Sequence, residues 1–369
     1  MRSLSVLLAA IAAVSAQQVG TQQAETHPKL TSQKCTSSQC TAVNGEVVID
    51  ANWRRLHETT GTAKLLRRQQ CALEGGDYGG DYGGTYGATT SGNALSLKFV
   101  TQHAYGKNIG SRLYIMNSAS KYDMFTLAGN ELAFDVDLSQ LECGLNGALY
   151  FVQMDEDGGM AKYSTNKAGA KYGTGHCDAQ CAHDLKFVGG KANVEGRVPS
   201  SNDANAGAGV GPYGACCAEM DVWVQRPYSF AVTPHPCQNN AYHVCEKSGC
   251  GGTYSADRFA GDCDANGCDF NPYRMGVTGF YGKGKTVDTS RKFTVSVVTQ
   301  FPNNKVQQQY FVQNGAKINM PNSTISGVSG NAVTPDFLRQ PKAGQLGSAR
   351  GDCPTTSGVP AEVESGLAS

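Results

Sequence analysis

Fourteen cysteines in a chain of 369 residues, set behind a segment with the pattern of an export signal, constrain the fold more than any other feature. Met1-Arg2-Ser3 supplies a charged start, Leu4 to Val14 a short apolar run, and Ser15-Ala16 a small-residue exit, which together predict a signal peptide over residues 1–16. A chain exported in this way meets an oxidising compartment, where thiols pair. Cys35, Cys40, Cys71, Cys143, Cys177, Cys181, Cys216, Cys217, Cys237, Cys245, Cys250, Cys263, Cys268 and Cys353 are even in number and predict a disulfide framework. A zinc cluster of Cys177, Cys181, Cys216 and Cys217 is the rival reading, although the adjacent pair Cys216-Cys217 suits two bridges better than one tetrahedral ion.

The apolar run is too short to span a bilayer and no later stretch approaches ~18 apolar residues, so a secreted, extracellular protein without a membrane partner is expected. The 31 basic and 31 acidic side chains balance, which removes the electrostatic case for nucleic acid as a partner. Nothing in the sequence calls for a cofactor or a metal, and a monomer is expected.

Strand signals dominate the periodicity. Apolar and polar residues alternate in Leu95-Ser96-Leu97-Lys98-Phe99 and from Leu132 to Leu138. Further strands are predicted over 148–154, 219–223, 292–301 and 308–312, separated by Gly, Asn, Asp and Pro clusters that favour turns. No long amphipathic helix is present. The fold class expected is all-β, two antiparallel sheets packed face to face with long loops able to shape a groove. The stretch 74–87 duplicates Gly-Gly-Asp-Tyr and reads as a flexible surface loop carrying Tyr78, Tyr82 and Tyr86, with a sugar-stacking ledge as the alternative. Asn322-Ser323-Thr324 is the one N-glycosylation sequon.

The densest chemical signal is Cys216-Cys217-Ala218-Glu219-Met220-Asp221-Val222-Trp223, followed by Thr233-Pro234-His235-Pro236-Cys237. In a strand, Glu219 and Asp221 share one face while Met220 and Val222 point into the core. Neighbouring carboxylates cannot both ionise freely, which is the tuning a nucleophile and its helper need. On spacing alone, an exposed acidic pair on an edge strand explains the pattern equally well.

These residues, with several longer stretches, resemble the family 7 glycoside hydrolases, the cellobiohydrolases and endoglucanases that cleave β-1,4-glucan. The resemblance is carried by Gln22-Gln23-Ala24-Glu25-Thr26-His27-Pro28, Gly87-Ala88-Thr89-Thr90-Ser91-Gly92-Asn93, Gly144-Leu145-Asn146-Gly147-Ala148-Leu149-Tyr150, Gly173-Thr174-Gly175, Asp184-Leu185-Lys186-Phe187, Asn193-Val194-Glu195-Gly196 and Asn271-Pro272-Tyr273-Arg274. It implies a concanavalin-like β-jelly-roll sandwich over residues 17–369, a single catalytic domain without a carbohydrate-binding module. Its partner would be a cellulose or cello-oligosaccharide chain lying in a groove or tunnel, with a chitin or xylan as the weaker alternative. The family's catalytic pattern Glu-x-Asp-x-x-Glu implies Glu219 as nucleophile and Asp221 as its support, with His235 positioning substrate. Retention needs two carboxyl groups ~5 to 5.5 Å apart, one attacking and one moving protons. Asn146, Tyr150, Gln180, Asp184, Lys186, Arg258 and Arg350 match positions that contact sugar hydroxyls.

The chain also departs from the pattern. Val224 stands where the acid/base glutamate should be, and Val224-Gln225-Arg226-Pro227 misfits as a block between matching flanks, as a shifted reading frame or splice boundary would produce. A missing general acid costs ~10² to 10⁴ in rate, so the resemblance implies either a cellulase of doubtful activity or a cello-oligosaccharide-binding pseudoenzyme. The only tryptophans are Trp53 and Trp223, and Arg55 and Arg197 occupy two family tryptophan positions. Two internal segments and the final strand of the family pattern are absent, and with them the usual partners of Cys71 and Cys268. Two unpaired thiols, or a bridge between them, are expected.

Overall fold

The computed structural model describes residues 25–54, 56–58, 71–73, 80–104, 106–127, 129–193, 198–199, 209–226, 228–258, 260–299 and 308–340. Residues 1–16, Arg55, Tyr78, Arg197 and Arg350 lie outside them, as do the pairings of Cys71 and Cys353. Pro335–Leu338 is the one α-helical element among the described residues, and apart from short 3-10 turns the remaining regular structure is strand. The all-β expectation holds.

One compact unit comprises Met1–Asp123, Glu156–Gly175 and Asp184–Pro212. Its main sheet runs β1 (Lys29–Cys35), β2 (Cys40–Ile49), β3 (Leu113–Ser118) and β4 (Lys121–Tyr122) in that order, all antiparallel. The Cys35–Cys40 bridge closes the first hairpin. At the end of β2 the run Val47-Val48-Ile49 is fully buried. Beside it Arg54, also fully buried, forms a forked ion pair with Glu25, one arm being Nη2 to Oε1 at 2.8 Å, and its Nε donates to the Tyr172 carbonyl at 2.9 Å. A guanidinium inside a protein is tolerated only when its donors are matched in this way.

The glycine-rich stretch departs from the expected surface loop. Tyr82 and Tyr86 are buried, packing with Ile49 and Ala88, and the Tyr82 hydroxyl donates to Glu25 while accepting from the Ile49 amide at 3.3 Å. Among the described residues of the stretch the glycines supply the turns, and Tyr82 and Tyr86 are core residues, with the Tyr82 hydroxyl both donating and accepting. The alternating stretch at Leu95 also differs. Ala94–Leu97 pairs only with Ala88–Ser91, and Leu97 and Phe99 are about half exposed, so this is a hairpin outside the larger sheets.

The second unit comprises Met124–Asp155, His176–His183 and Tyr213–Ser369. It contains β5 (Asn130–Val136), β6 (Gly147–Val152), β7 (Glu219–Arg226), β8 (Ser229–His235), β9 (Phe293–Thr299), β10 (Gln308–Gln313) and β11 (Ala316–Asn319). They form two antiparallel sheets, β6-β7-β8 and β5-β9-β10-β11. Aromatic rings join the sheets. Phe230 of β8 meets Phe311 of β10 edge to face at 5.2 Å and Tyr281 at 4.9 Å, and Trp223 of β7 meets Phe134 of β5 at 6.1 Å. Such pairs each add ~0.5 to 1.5 kcal/mol beyond the apolar area they bury.

The described bridges also include Cys177–Cys217, Cys181–Cys216, Cys237–Cys263 and Cys245–Cys250. The adjacent cysteines thus serve two bridges and not a zinc ion. Cys268 is buried and disulfide-bonded, which excludes the free thiol that was one of the two expectations there, whereas Cys143, which was not among the cysteines expected to lack a partner, is free and exposed.

Candidate active site

Strand β7 carries the acidic pair, and its geometry turns on one extra residue. Asp221 faces Tyr150 of β6 and Thr233 of β8, whereas Val224 faces Ala148 and Ala231. Three residue steps on β7 therefore span two on each neighbour, so Val222-Trp223 forms a β-bulge. Strict alternation would send position 224 into the core with Met220 and Val222. The bulge reverses the parity. Met220, Val222, Trp223 and Gln225 are buried, and Glu219, Asp221 and Val224 are the half-buried members of the strand, all on its open face. Val224 thus stands where a third functional group on that face would stand.

Glu219 lies opposite His235 in register and accepts a hydrogen bond from the Ala179 amide at 3.0 Å. That amide belongs to the turn between Cys177 and Cys181, which the Cys177–Cys217 and Cys181–Cys216 bridges clamp against the residues leading into β7. Cys181 adopts a left-handed φ of 53°, uncommon for a residue with a Cβ, so the turn is held by its surroundings and not by its own preference. Asp178 in the same turn caps the Ala182 amide at 3.2 Å and pairs with the buried His176 at 3.1 Å.

His235 is buried at the end of β8. Its Nδ1 donates to the Asp264 carbonyl at 2.8 Å and its Nε2 lies 3.5 Å from Asp221. Gly267, with φ +62°, permits the ring to sit there, because a Cβ at 267 would stand 2.7 Å from Cε1. Burial alone would lower the His235 pKa, but the Asp221 hydrogen bond and the charges of Glu219, Asp221 and Asp264 outweigh it and push it up to about 10. Burial, followed by the Asp221 charge, raises the Glu219 carboxyl well above the usual range, with His235 and the Ala179 amide acting in the opposite direction.

These shifts have one sign. His235 and Glu219 both hold protons more tightly folded than unfolded, so stability falls with rising pH, for His235 from about 6.5 through about 10. Glu25 and Glu46 are held low despite burial by Arg54 and by Lys29 and His27, so their contribution is lost as pH falls below about 4.5. Urea titrations across pH 4 to 9 are expected to place the highest midpoint on the mildly acidic side, with a decline above pH ~6.5 that His235→Asn reduces. A midpoint that rises from pH 6.5 to 9 would contradict this coupling.

The structure brings Gln180 and Arg258 together. Both donate to the Ala265 carbonyl, Arg258 also reaches Asn266, and Thr253 lies 3.4 Å from each of them. Tyr150 is half-buried on β6 across from Asp221, and Asn146 is exposed just before β6. Asp184 and Lys186 belong to the other unit, where Asp184 is exposed and the Lys186 ammonium donates to the Arg54 carbonyl at 2.8 Å. Asp178, the Ala179 amide and Asp264 were not singled out from sequence. Only the position of Asp178 between Cys177 and Cys181 hinted at a clamped turn.

The profile described as Glycosyl hydrolase family 7 matches residues 19–344. A crystal structure of a cellobiohydrolase from Melanocarpus albomyces complexed with cellotetraose is 55% identical, with a TM-score of 0.87 over 95% of this chain and 83% of that chain. A family 7 cellobiohydrolase from Daphnia pulex is 39% identical at TM-score 0.87, covering 95% and 83%. The native endocellulase EGI of Humicola insolens is 29% identical at 0.76, covering 95% and 85%.

Proposed function

Because the chain belongs to glycosyl hydrolase family 7, we propose that it is a secreted, cellobiohydrolase-like protein that binds a β-1,4-glucan chain and retains a nucleophile without a proton donor. The observation that carries this reading is the shared open face of Glu219, Asp221 and position 224, with valine at the last. Glu219 would attack the anomeric carbon and form a glycosyl-enzyme, with the His235 cation and the Ala179 amide favouring its carboxylate form against burial and the Asp221 charge, and with Asp221 pairing with that cation. Gln180, Arg258, Tyr150, Asn146, Asp184, Lys186 and Arg350 would hold sugar hydroxyls. The bond to a glucose leaving group breaks only when its oxygen is protonated, and water attacks the intermediate only when a base takes its proton. Val224 can do neither. Hydrolysis of natural glucan is then slow, and oligosaccharide binding is the property preserved. The 55% identical relative that holds cellotetraose supports this substrate class.

Residues 1–16 as leader and 17–369 as one catalytic domain fit the same reading, supported by a family match that crosses both compact units and by five described bridges suited to an oxidising compartment. Asn322 is exposed in the segment after β11 and is suited to carry a glycan.

The test uses a dinitrophenyl β-cellobioside, whose leaving group needs no acid. Turnover is expected to stall at the glycosyl-enzyme and to accelerate severalfold when azide, which needs no base, is added, yielding β-cellobiosyl azide. A folded sample indifferent to azide would overturn the assignment of roles.

A further inference from the structure

Between Glu219 and Gln225, Val222 is the one residue with no register partner on either β6 or β8. The bulge therefore takes its carbonyl out of both ladders, at a position where Val222 itself is fully buried. A buried carbonyl needs a donor from elsewhere. That donor is the side chain of Gln309, whose Nε2 donates to the Val222 oxygen. Gln309 lies on β10 of the facing sheet, opposite Val297, and is 3% exposed. It is a primary amide reaching across an aromatic and aliphatic core to the acceptor that the bulge sets free.

We propose that Gln309 is a positioning residue for the chemistry at β7: by bonding Val222 it holds the bulge that presents position 224 on the same face as Glu219. The inference rests on the retaining-hydrolase reading and adds to it the device that sets the distance between the two catalytic positions. A regular strand would satisfy the Val222 carbonyl through the ladder, but it would turn Trp223 outward and position 224 inward. Gln309 gives the bulged register the hydrogen bond that the regular one would otherwise gain. Gln309 lines a small cavity with Val232, Phe270, Asn331 and Val333, and its Oε1 has no hydrogen-bond partner there, so a side chain of the same length without that oxygen fits the space.

The experiment is made in a Val224→Glu background, where the second catalytic group is present. Two reactions are compared: hydrolysis of cellotetraose, which needs the group at 224, and labelling of Glu219 by an activated 2-fluoro-cellobioside, which does not. Adding Gln309→Met is expected to lower kcat on cellotetraose by about tenfold or more with KM within about twofold, because a displaced proton donor costs rate and not binding. Labelling of Glu219 should stay within about threefold. Gln309→Glu keeps the shape and donates only while protonated, so it should retain kcat at acidic pH and lose it as pH rises.

An unchanged kcat in the methionine variant, or an equal fall in kcat and labelling, would overturn the proposal. Should the methionine variant not fold, the new alkaline limb in Gln309→Glu decides the matter, and a profile identical to that of the parent overturns it. If Val224→Glu alone hydrolyses nothing, the hydrolase reading itself falls and takes the proposal with it.

Discussion

Replacing Val224 with glutamate is expected to raise the hydrolysis of cellotetraose by about 10² to 10⁴-fold, the usual worth of a positioned general acid. The site can take the longer side chain. Val224 is half-buried on the open face, and its register partners are Ala148 on β6 and Ala231 on β8, neither of which fills the space beside it. The bulge already sets the parity, so no change of register is needed. Val224→Gln, equal in size but unable to give up a proton at working pH, should bind the tetrasaccharide and stay near the parent rate. Product analysis over time separates the two, and a Val224→Glu protein that folds, binds and shows no gain would show that the loss of activity lies elsewhere.

The second large effect concerns stability. Glu25→Ala is expected to cost about 3 to 5 kcal/mol, measured from urea unfolding, because it leaves a buried charge without its partner. Arg54 has no exposed surface, and its forked pair with Glu25 is the contact that neutralises it. The same substitution strands the Tyr82 hydroxyl, which donates to Glu25. Pairing Glu25→Ala with Arg54→Met should recover part of the loss, since removing both charges also removes the desolvation cost that either alone carries. A loss of under about 1 kcal/mol from Glu25→Ala would place this pair with ordinary surface bridges.

The site was legible where its signal is local. Alternation marked Glu219 and Asp221 as neighbours on one face, and the strands around 132, 293 and 308 lie within a residue or two of their predicted positions. What escaped depended on partners distant in sequence. A period-2 reading cannot register an extra residue, so the parity reversal at Val222-Trp223 becomes visible only when β6 and β8 are aligned beside β7. The Ala179 amide reaches Glu219 because two disulfides bring a turn forty residues upstream against the strand. Tyr82 and Tyr86 were misread for a different reason. Glycine-rich composition suggests exposure, but glycine describes the backbone between the tyrosines and not what their rings pack against.

One measurement tests the central claim most directly: intact mass and peptide mapping of the unaltered chain after incubation with 2,4-dinitrophenyl 2-fluoro-cellobioside. A single fluoro-cellobiosyl adduct is expected on the peptide containing Glu219, absent from Glu219→Gln and discharged on adding azide. A folded protein that takes up no label, or takes it up at another carboxylate, would contradict the assignment of Glu219 as a competent nucleophile working without its proton donor.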